Sequence, residues 1–183
     1  MVEPPIKVAR ATPSAAGALV SIGLVPPATR LSFRGPPQAA AACGEAFGCP
    51  LPQQVCRAEQ RRDRAALWLG PDEWLLLAPE AETAALFERI ESALDAVPHA
   101  LVDISHRQVG FAIAGVAACP MLNAGCPLDL DLAAFPVGMC TRTVLAKSDI
   151  ALWRQAPDRF RLETNRSFAD YVATYLRMAE RGV

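Results

Sequence analysis

Two stretches of the chain place apolar residues at every third or fourth position, the spacing of a helix that buries one face. The first apolar stripe consists of Leu86, Phe87, Ile90, Leu94 and Val97. The second consists of Phe168, Tyr171, Val172, Tyr175 and Leu176. Prolines flank the first stretch, and proline favours helix starts and ends a helix that runs into it. The spacing predicts amphipathic helices over Glu80–Val97 and Ser167–Glu180.

Segments ahead of the first stripe show the patterns of strands and of one further helix. Residues Thr29–Arg34 alternate apolar and polar side chains and end at a Gly-Pro-Pro turn, which is typical of a strand. An alanine-rich segment, about Gln38–Phe47, then predicts a helix that closes at Gly48. Three short strands are predicted next, at residues 53–58, 64–69 and 73–78.

The second half of the chain repeats this order of elements. Four short matches relate the halves: Leu31–Gly35 with Phe111–Gly115, Gly48–Leu51 with Gly125–Leu128, Ala66–Trp68 with Ala151–Trp153, and Pro71–Trp74 with Pro157–Phe160. We therefore predict one α+β domain built from two strand–helix–three-strand–helix units, residues 28–98 and 100–183, with antiparallel-rich sheets and packed helices.

The spacing of these matches makes two further predictions. It places an eight-residue insertion after Leu128, in the stretch Asp129–Met139, because a loop absorbs a length change at little cost. It also places Trp68 and Trp153 in the same slot of the repeat, where core packing is expected.

The N-terminal segment and the composition narrow the class of protein. Residues 1–27 hold five of the sixteen prolines and show no periodicity, so we expect an extended arm. The first residues lack the basic and apolar segments of a signal peptide, which predicts a cytoplasmic protein with reduced cysteines. A formal net charge of −1 disfavours nucleic-acid or anionic-membrane binding. The 52% hydrophobic content excludes a wholly disordered chain, and no apolar run approaches the roughly 20 residues of a membrane span.

The sequence lacks the common catalytic signatures. It contains no Gly-rich phosphate loop, no nucleophile elbow and no paired-histidine zinc motif. The six cysteines form no C-x-x-C pair, so buried thiols are the expected role, although a thiolate metal site or a Cys126 or Cys140 nucleophile with His106 stays formally open. Asp129 and Asp131 could act as paired carboxylates, but the turn-capping role is favoured.

The most polar cluster beside a predicted strand is residues 102–108. Asp103, His106 and Arg107 could bind an anionic ligand, because arginine offers a forked donor for a carboxylate. The alternative is a strand end and turn in which aspartate and serine side chains satisfy backbone amides. These observations together favour a subunit or binding module over a free-standing enzyme.

Five segments resemble the gamma subunit family of bacterial heterotetrameric sarcosine oxidase. They span roughly residues 65–180 in order: Ala66–Leu76, Val102–Gln108, Gly125–Leu130, Phe135–Thr143 and Arg166–Tyr171. The resemblance implies a fold related to the folate-binding domain of the glycine-cleavage aminomethyltransferase. It implies a non-catalytic gamma subunit that supports assembly with alpha, beta and delta subunits.

The resemblance also implies what the complex does. Such an enzyme oxidatively demethylates sarcosine to glycine and forms hydrogen peroxide with formaldehyde or 5,10-methylenetetrahydrofolate. FAD, FMN, NAD, zinc and tetrahydrofolate belong to the other subunits, so we expect no catalytic, cofactor or metal residues in this chain. His106, Arg107 and Arg142 are the candidate partner contacts, as polar groups in the segments that carry the resemblance.

The alternative interpretation is a stand-alone protein of the same fold superfamily, which binds folate or assists iron–sulfur assembly. The iron–sulfur proteins share a K-G-C-Y-x-G-Q-E signature, from which Ala124–Leu128 departs after the Gly-Cys pair.

Overall fold

The structure is a computed structural model that describes residues 19–183. Ten strands are formed by Ser21–Leu24 (β1), Ala28–Arg34 (β2), Ala58–Arg61 (β3), Arg64–Gly70 (β4), Glu73–Pro79 (β5), Ala100–Asp103 (β6), Gln108–Ala114 (β7), Cys140–Leu145 (β8), Ser148–Ala156 (β9) and Arg159–Asn165 (β10) within this range. The α-helices there are Pro37–Phe47 (α1), Thr83–Ala93 (α2), Ala118–Asn123 (α3) and Ala169–Glu180 (α4). Single 3₁₀ turns at Glu80–Glu82 and Arg166–Phe168 lead into α2 and α4.

The strands form two five-stranded antiparallel sheets in the orders β6-β2-β5-β4-β3 and β1-β7-β10-β9-β8. The two orders correspond strand for strand, which confirms the predicted α+β fold of two strand–helix–three-strand–helix units. One strand of each sheet is exchanged. β1 precedes the first unit but pairs with β7 of the second, and β6, at the start of the second unit, pairs with β2 of the first.

The boundaries of most predicted elements are confirmed within a few residues. α1 begins at Pro37, where the missing amide of proline costs no helical hydrogen bond. It ends at Phe47 and is capped by Gly48, whose φ of 77° suits glycine. The predicted helix Glu80–Val97 is shorter than expected, since α2 ends at Ala93. The strand predicted at 53–58 is wrong. An isolated bridge joins Arg57 to Met139, and β3 starts at Ala58.

The predicted equivalence of Trp68 and Trp153 is also wrong. Trp68 pairs with Trp74, whereas the residue that pairs with Phe160 at the equivalent position of the second sheet is Arg154. The shared Ala-Leu-Trp sequence is therefore one residue out of register, and a one-residue slip moves a side chain to the opposite face of a sheet. Trp68 packs on the helix side of its sheet, while Trp153 is buried between the sheets.

The predicted insertion is divided between two places. Gly48 and Ala58 are ten residues apart, while their counterparts Gly125 and Cys140 are fifteen apart, so the loop holds only five extra residues. The β8–β9 hairpin holds four more, because Cys140 pairs with Trp153 where Ala58 pairs with Leu67.

The predicted arm over residues 1–27 is described only in part. Residues 1–18 lie outside the described residues. Within the remainder, Ser21–Leu24 form β1, and Val20 is buried in the core of the second unit. The end of the predicted arm therefore belongs to a sheet. A four-residue strand is too short to show the alternation that would have predicted it.

The elements stack in four layers. α1 and α2 cover the outer face of the first sheet, and α3 and α4 cover the outer face of the second, each over its own hydrophobic core. The two inner faces meet along β4 and β8. No helix within residues 19–183 is long and apolar enough to cross a membrane.

Candidate functional site: a polar cleft between the sheets

The space between the two sheets is apolar on one side and charged on the other. On the apolar side, Leu67, Leu75 and Leu77 of the first sheet pack with Cys140 and Trp153 of the second. Beside this contact, the inner faces of β2, β7 and β10 carry polar and charged side chains. This polar side is where the sheets leave room for a cleft.

A buried charge cluster forms the floor of the polar side. The carboxylate of Glu163 accepts a hydrogen bond from Arg30 Nε at 2.6 Å and another from Arg161 Nε at 2.7 Å. The side chains of Arg30 and Glu163 are only 3% and 1% exposed. Opposite them, a Cβ on Gly110 would lie 2.6 Å from Glu163 Oε1, so glycine leaves the space that the carboxylate fills. Paired and hydrogen-bonded in this way, buried charges are tolerated.

A second ion pair joins the two units at the edge of the cleft. The guanidinium of Arg142, on β8, forms a two-pronged contact with the carboxylate of Glu73, on β5, including an Nη1–Oε2 hydrogen bond of 2.8 Å. These hydrogen bonds hold the pKa of Glu73 below its usual value and raise that of Arg142. The geometry is that of a forked arginine–carboxylate pair, which fixes orientation as well as charge.

The cleft between these features has a volume of about 300 Å³. Its polar lining includes Arg107, Gln108, Arg142, Asp149, Glu163 and Asn165. Gln108 and Asn165 face each other across the β7–β10 pair. The Gln108 Oε1 atom is buried and has no hydrogen-bond donor among the described residues. Arg107 makes no ion pair with any residue of the described range.

Two of the three predicted contact residues meet at this cleft. Arg107 and Arg142 both line it, although they lie on different elements. His106 is exposed on the turn between β6 and β7, outside the cleft lining, and its carbonyl oxygen accepts a hydrogen bond of 2.8 Å from Arg166 Nε. Arg142 is engaged with Glu73, so its guanidinium is only partly available to another molecule.

The rest of the 102–108 segment forms the predicted turn. Asp103 Oδ1 accepts a hydrogen bond of 2.9 Å from the Ser105 amide, and Ser105 Oγ accepts one of 2.9 Å from the Arg30 amide. These bonds tie the turn to β2 and place Arg107 at the mouth of the cleft. Asp103 therefore acts in the turn, as the alternative interpretation of this segment predicts.

The structure also bears on the other candidate residues of the sequence: the paired aspartates, the reactive cysteine and the metal ligands. Asp129 and Asp131 each accept a hydrogen bond from a backbone amide two residues later, as turn-capping residues do. Burial raises the pKa of the Cys140 thiol to about 12, which disfavours the thiolate that a nucleophile needs. Within residues 19–183 no group of three or more His, Cys, Asp or Glu side chains is arranged to hold a metal ion.

Sequence reasoning missed the buried cluster of Arg30, Arg161 and Glu163. Its signal was present in β10, where Arg161 and Glu163 alternate with apolar residues. Alternation alone assigns such charges to a solvent-facing side. Only the packing of a second sheet over that face shows that they are buried.

Comparison with known proteins identifies the family. The sarcosine oxidase, gamma subunit family matches residues 34–181. A sarcosine oxidase subunit gamma from Corynebacterium sp. (strain P-1) is 36% identical over 152 residues, covering 81% of this chain and 74% of that protein.

Two solved structures show the same fold. A chain of the heterotetrameric sarcosine oxidase from Corynebacterium sp. U-96, in complex with pyrrole 2-carboxylate, superposes with a TM-score of 0.85 at 32% identity, covering 91% of this chain and 87% of that one. Aminomethyltransferase T of the glycine cleavage system from Bartonella henselae shares the fold at a TM-score of 0.65 and 14% identity, over 87% of this chain and 45% of that one. The resemblance in the sequence motifs is thus confirmed over most of the chain, and this protein belongs to the sarcosine oxidase gamma subunit family.

Proposed function

We propose that this chain is the non-catalytic gamma subunit of a heterotetrameric sarcosine oxidase. The complex converts sarcosine to glycine, with hydrogen peroxide and either formaldehyde or 5,10-methylenetetrahydrofolate as further products. In this proposal the chain supports assembly with alpha, beta and delta subunits in the cytoplasm. The other subunits carry FAD, FMN, NAD, zinc and tetrahydrofolate. Family membership and the similarity to a chain of a solved heterotetramer support the proposal.

One surface feature carries the assembly role. Phe168, Tyr171 and Met178 are 41%, 40% and 64% exposed, and together with the half-buried Tyr175 they form an apolar stripe along α4 and the turn before it. We call these four residues the α4 stripe. They are spaced three, four and three residues apart, so they lie on one side of the helix.

The first unit provides an internal control for this stripe. α2 and α4 each follow a 3₁₀ turn at the same position of the repeat, so the equivalents of the α4 stripe are Glu82, Ala85, Arg89 and Ser92. The fold therefore accepts polar and small residues at these positions of the repeat. In the second unit Tyr175 packs against the core beside Gly125 and Tyr171 accepts a hydrogen bond from the Lys147 amide, so Phe168 and Met178 are the stripe residues chosen for substitution.

Aromatic residues and methionine are enriched at the cores of protein interfaces. A subunit that is permanently held in a complex buries such a surface against its partner, and obligate interfaces typically bury about 2,000 Å² or more. We assign the α4 stripe as a docking surface for another subunit of the complex.

The candidate contacts from the sequence form a second part of the proposal. His106 and Arg107 are both exposed on the turn after β6, where a partner can reach them. Arg142 is expected to contribute less, because its guanidinium is already paired with Glu73. Alanine substitutions of His106 and Arg107 test these contacts through the recovery of the complex.

The deciding experiment is co-purification of the tagged chain from its native host, with visible absorbance and mass spectrometry of the recovered material. We expect flavin-coloured material with three further subunits that oxidises sarcosine. The double variant Phe168→Ser/Met178→Ser should lower the recovery of the other subunits about tenfold or more, as loss of interface anchors does. The matched double variant on α2, Ala85→Ser/Ser92→Ala, should leave recovery unchanged, and circular dichroism checks that both variants fold.

Two results would contradict the subunit role, and a third would contradict the docking surface. A lone, colourless protein of 19.6 kDa would favour the stand-alone interpretation, and folate titration would follow. Flavin absorbance or sarcosine turnover in the isolated chain would show that it is not a non-catalytic subunit. Equal recovery with both double variants would remove the α4 stripe from the interface.

A further inference from the structure

The cleft between the sheets contains hydrogen-bonding groups that the described residues leave unused. Arg107 lines the cleft, and its guanidinium makes neither an ion pair nor a side-chain hydrogen bond within the described part of the chain. A guanidinium has five N–H donors in a planar fork that matches a carboxylate. The mouth of the cleft therefore offers an available donor for a carboxylate.

Gln108, the residue after Arg107, offers a hydrogen-bond acceptor. Gln108 lines the cleft, and its Oε1 atom is buried and accepts no hydrogen bond from residues 19–183. A buried acceptor without a donor costs free energy, which a ligand N–H group would recover. Arg107 and Gln108, adjacent residues at the start of β7, thus present an unused donor and an unused acceptor to the same cavity.

The carboxylates around the cleft differ in their availability. Glu73 is paired with Arg142, and Glu163 is paired with Arg30 and Arg161, so both are neutralised by arginines. Asp149 also lines the cleft and forms no ion pair with another described residue. It is exposed and can attract a positively charged group at the mouth. The cleft therefore has one free cation and one free anion within the described residues.

We propose that this cleft binds a small zwitterion of the amino-acid class. The ligand carboxylate pairs with Arg107, and the ligand ammonium donates to Gln108 Oε1 and lies near Asp149. A volume of about 300 Å³ is at the lower end for small-molecule sites, which favours a ligand of few heavy atoms. This inference goes beyond the proposed subunit role, because it requires no partner.

The test is a titration of the full chain with glycine, followed by amide chemical shifts in NMR. Saturable shifts are expected at residues 105–108, 149 and 163–165. Acetate has only the carboxylate and methylamine only the ammonium, so each should bind about tenfold more weakly than glycine. Arg107→Gln should weaken glycine binding about tenfold, and Gln108→Leu should weaken it severalfold.

Arg177→Gln is the matched control, because Arg177 lies on α4, on the outer side of the second sheet. It should bind glycine like the unmodified chain. No saturable shift at millimolar glycine would overturn the proposal, as would unchanged binding in Arg107→Gln. Acetate binding as tight as glycine binding would also overturn it, since the site would then recognise only an anion.

Arg107 is also a candidate partner contact, and the two roles separate experimentally. The titration uses the chain alone, so glycine binding does not depend on assembly. If co-purification failed while glycine bound and Arg107→Gln abolished it, the subunit proposal would fall and the zwitterion site would remain.

Discussion

The two units of this protein share a backbone frame but have opposite chemistry on their inner faces. In the first unit the inner face of β5 presents Leu75 and Leu77, whereas the equivalent positions of β10 are Arg161 and Glu163. The outer faces agree, since Trp74 and Leu76 correspond to Phe160 and Leu162, all buried under helices. The frame thus constrains the outer cores, while the inner face of one unit is free to become polar.

This difference creates the cleft. Two apolar faces would pack closely along their whole length, as the sheets do where Leu67, Cys140 and Trp153 lie in one cluster. Charged side chains instead need hydrogen-bonding partners and space, and Gly110 provides part of that space. Divergence between the units has turned part of an internal packing surface into a candidate ligand site.

The strongest test of this contrast removes the carboxylate from the buried cluster. Glu163→Gln leaves Arg30 and Arg161 without a counter-charge, and we expect the free energy of unfolding to fall by about 3–5 kcal/mol. Urea denaturation measures the change.

A second variant gives the polar face the chemistry of the first unit. The triple variant Arg30→Met/Arg161→Leu/Glu163→Leu should be within about 1 kcal/mol of the unmodified chain or more stable, because apolar residues can replace a buried ion cluster. A Glu163→Gln variant as stable as the unmodified chain would show that the cluster is not buried as described.

A smaller effect is expected from filling the space opposite Glu163. Gly110→Ala places a methyl group against a carboxylate held by two arginines. The free energy of unfolding should therefore fall by about 1–3 kcal/mol. Gly182→Ala is the control, because the nearest atom to its added carbon is 3.5 Å away. Equal losses in both variants would mean that the close approach at Gly110 is unimportant.

The ion pair between the units should make stability depend on pH. Because Arg142 lowers the pKa of Glu73 in the folded chain, the pair stabilises the fold above the ordinary glutamate pKa of about 4.5, and the effect is lost as the pH falls through the lowered folded pKa. In Arg142→Ala, the melting temperature should therefore fall relative to the unmodified chain at neutral pH, and this difference should vanish in acid. Arg177 of α4 is the control, because it is exposed and forms no ion pair with another described residue, so Arg177→Ala should change little at any pH.

The smallest effect concerns a buried thiol in each unit. Burial raises the pKa of Cys43 on α1 and of Cys140 on β8 to about 12. Iodoacetamide near neutral pH should therefore leave both unlabelled in the folded chain and label both in urea, as peptide mass mapping would show. Rapid labelling of Cys140 alone would indicate that the sheets separate on the apolar side, where Cys140 packs.

The sequence was sufficient to predict the order of elements but not their register. Helical periodicity located α2 and α4, and the short matches between halves revealed the duplication. The match at Trp68 and Trp153 failed because similar tripeptides carry no information about which face each residue occupies. The exchange of β1 and β6 between the sheets could not be predicted for a related reason, since the pattern of a four-residue strand is too short to identify its partner.

The candidate site was only partly predictable. Arg107 and Arg142 were selected from motifs, and the structure brings both to the cleft. Gln108, Asp149 and Glu163 could not be selected, because their place in the cleft depends on the first sheet, which packs over their own. Residues that are polar in sequence become a candidate site only when long-range packing brings them to one cleft.

The exchange of β1 and β6 between the sheets affects how the chain folds during its synthesis. Residues 28–98 contain a nearly complete unit, but the outer edge of β2 stays open until β6 has been synthesised. β1 in turn waits for β7, about ninety residues later, before it gains a hydrogen-bonding partner. An uncovered strand edge is a template for pairing with other chains. Folding during translation therefore leaves a vulnerable interval in the middle of synthesis, and a chain truncated near residue 98 should aggregate rather than persist as a half-sized unit.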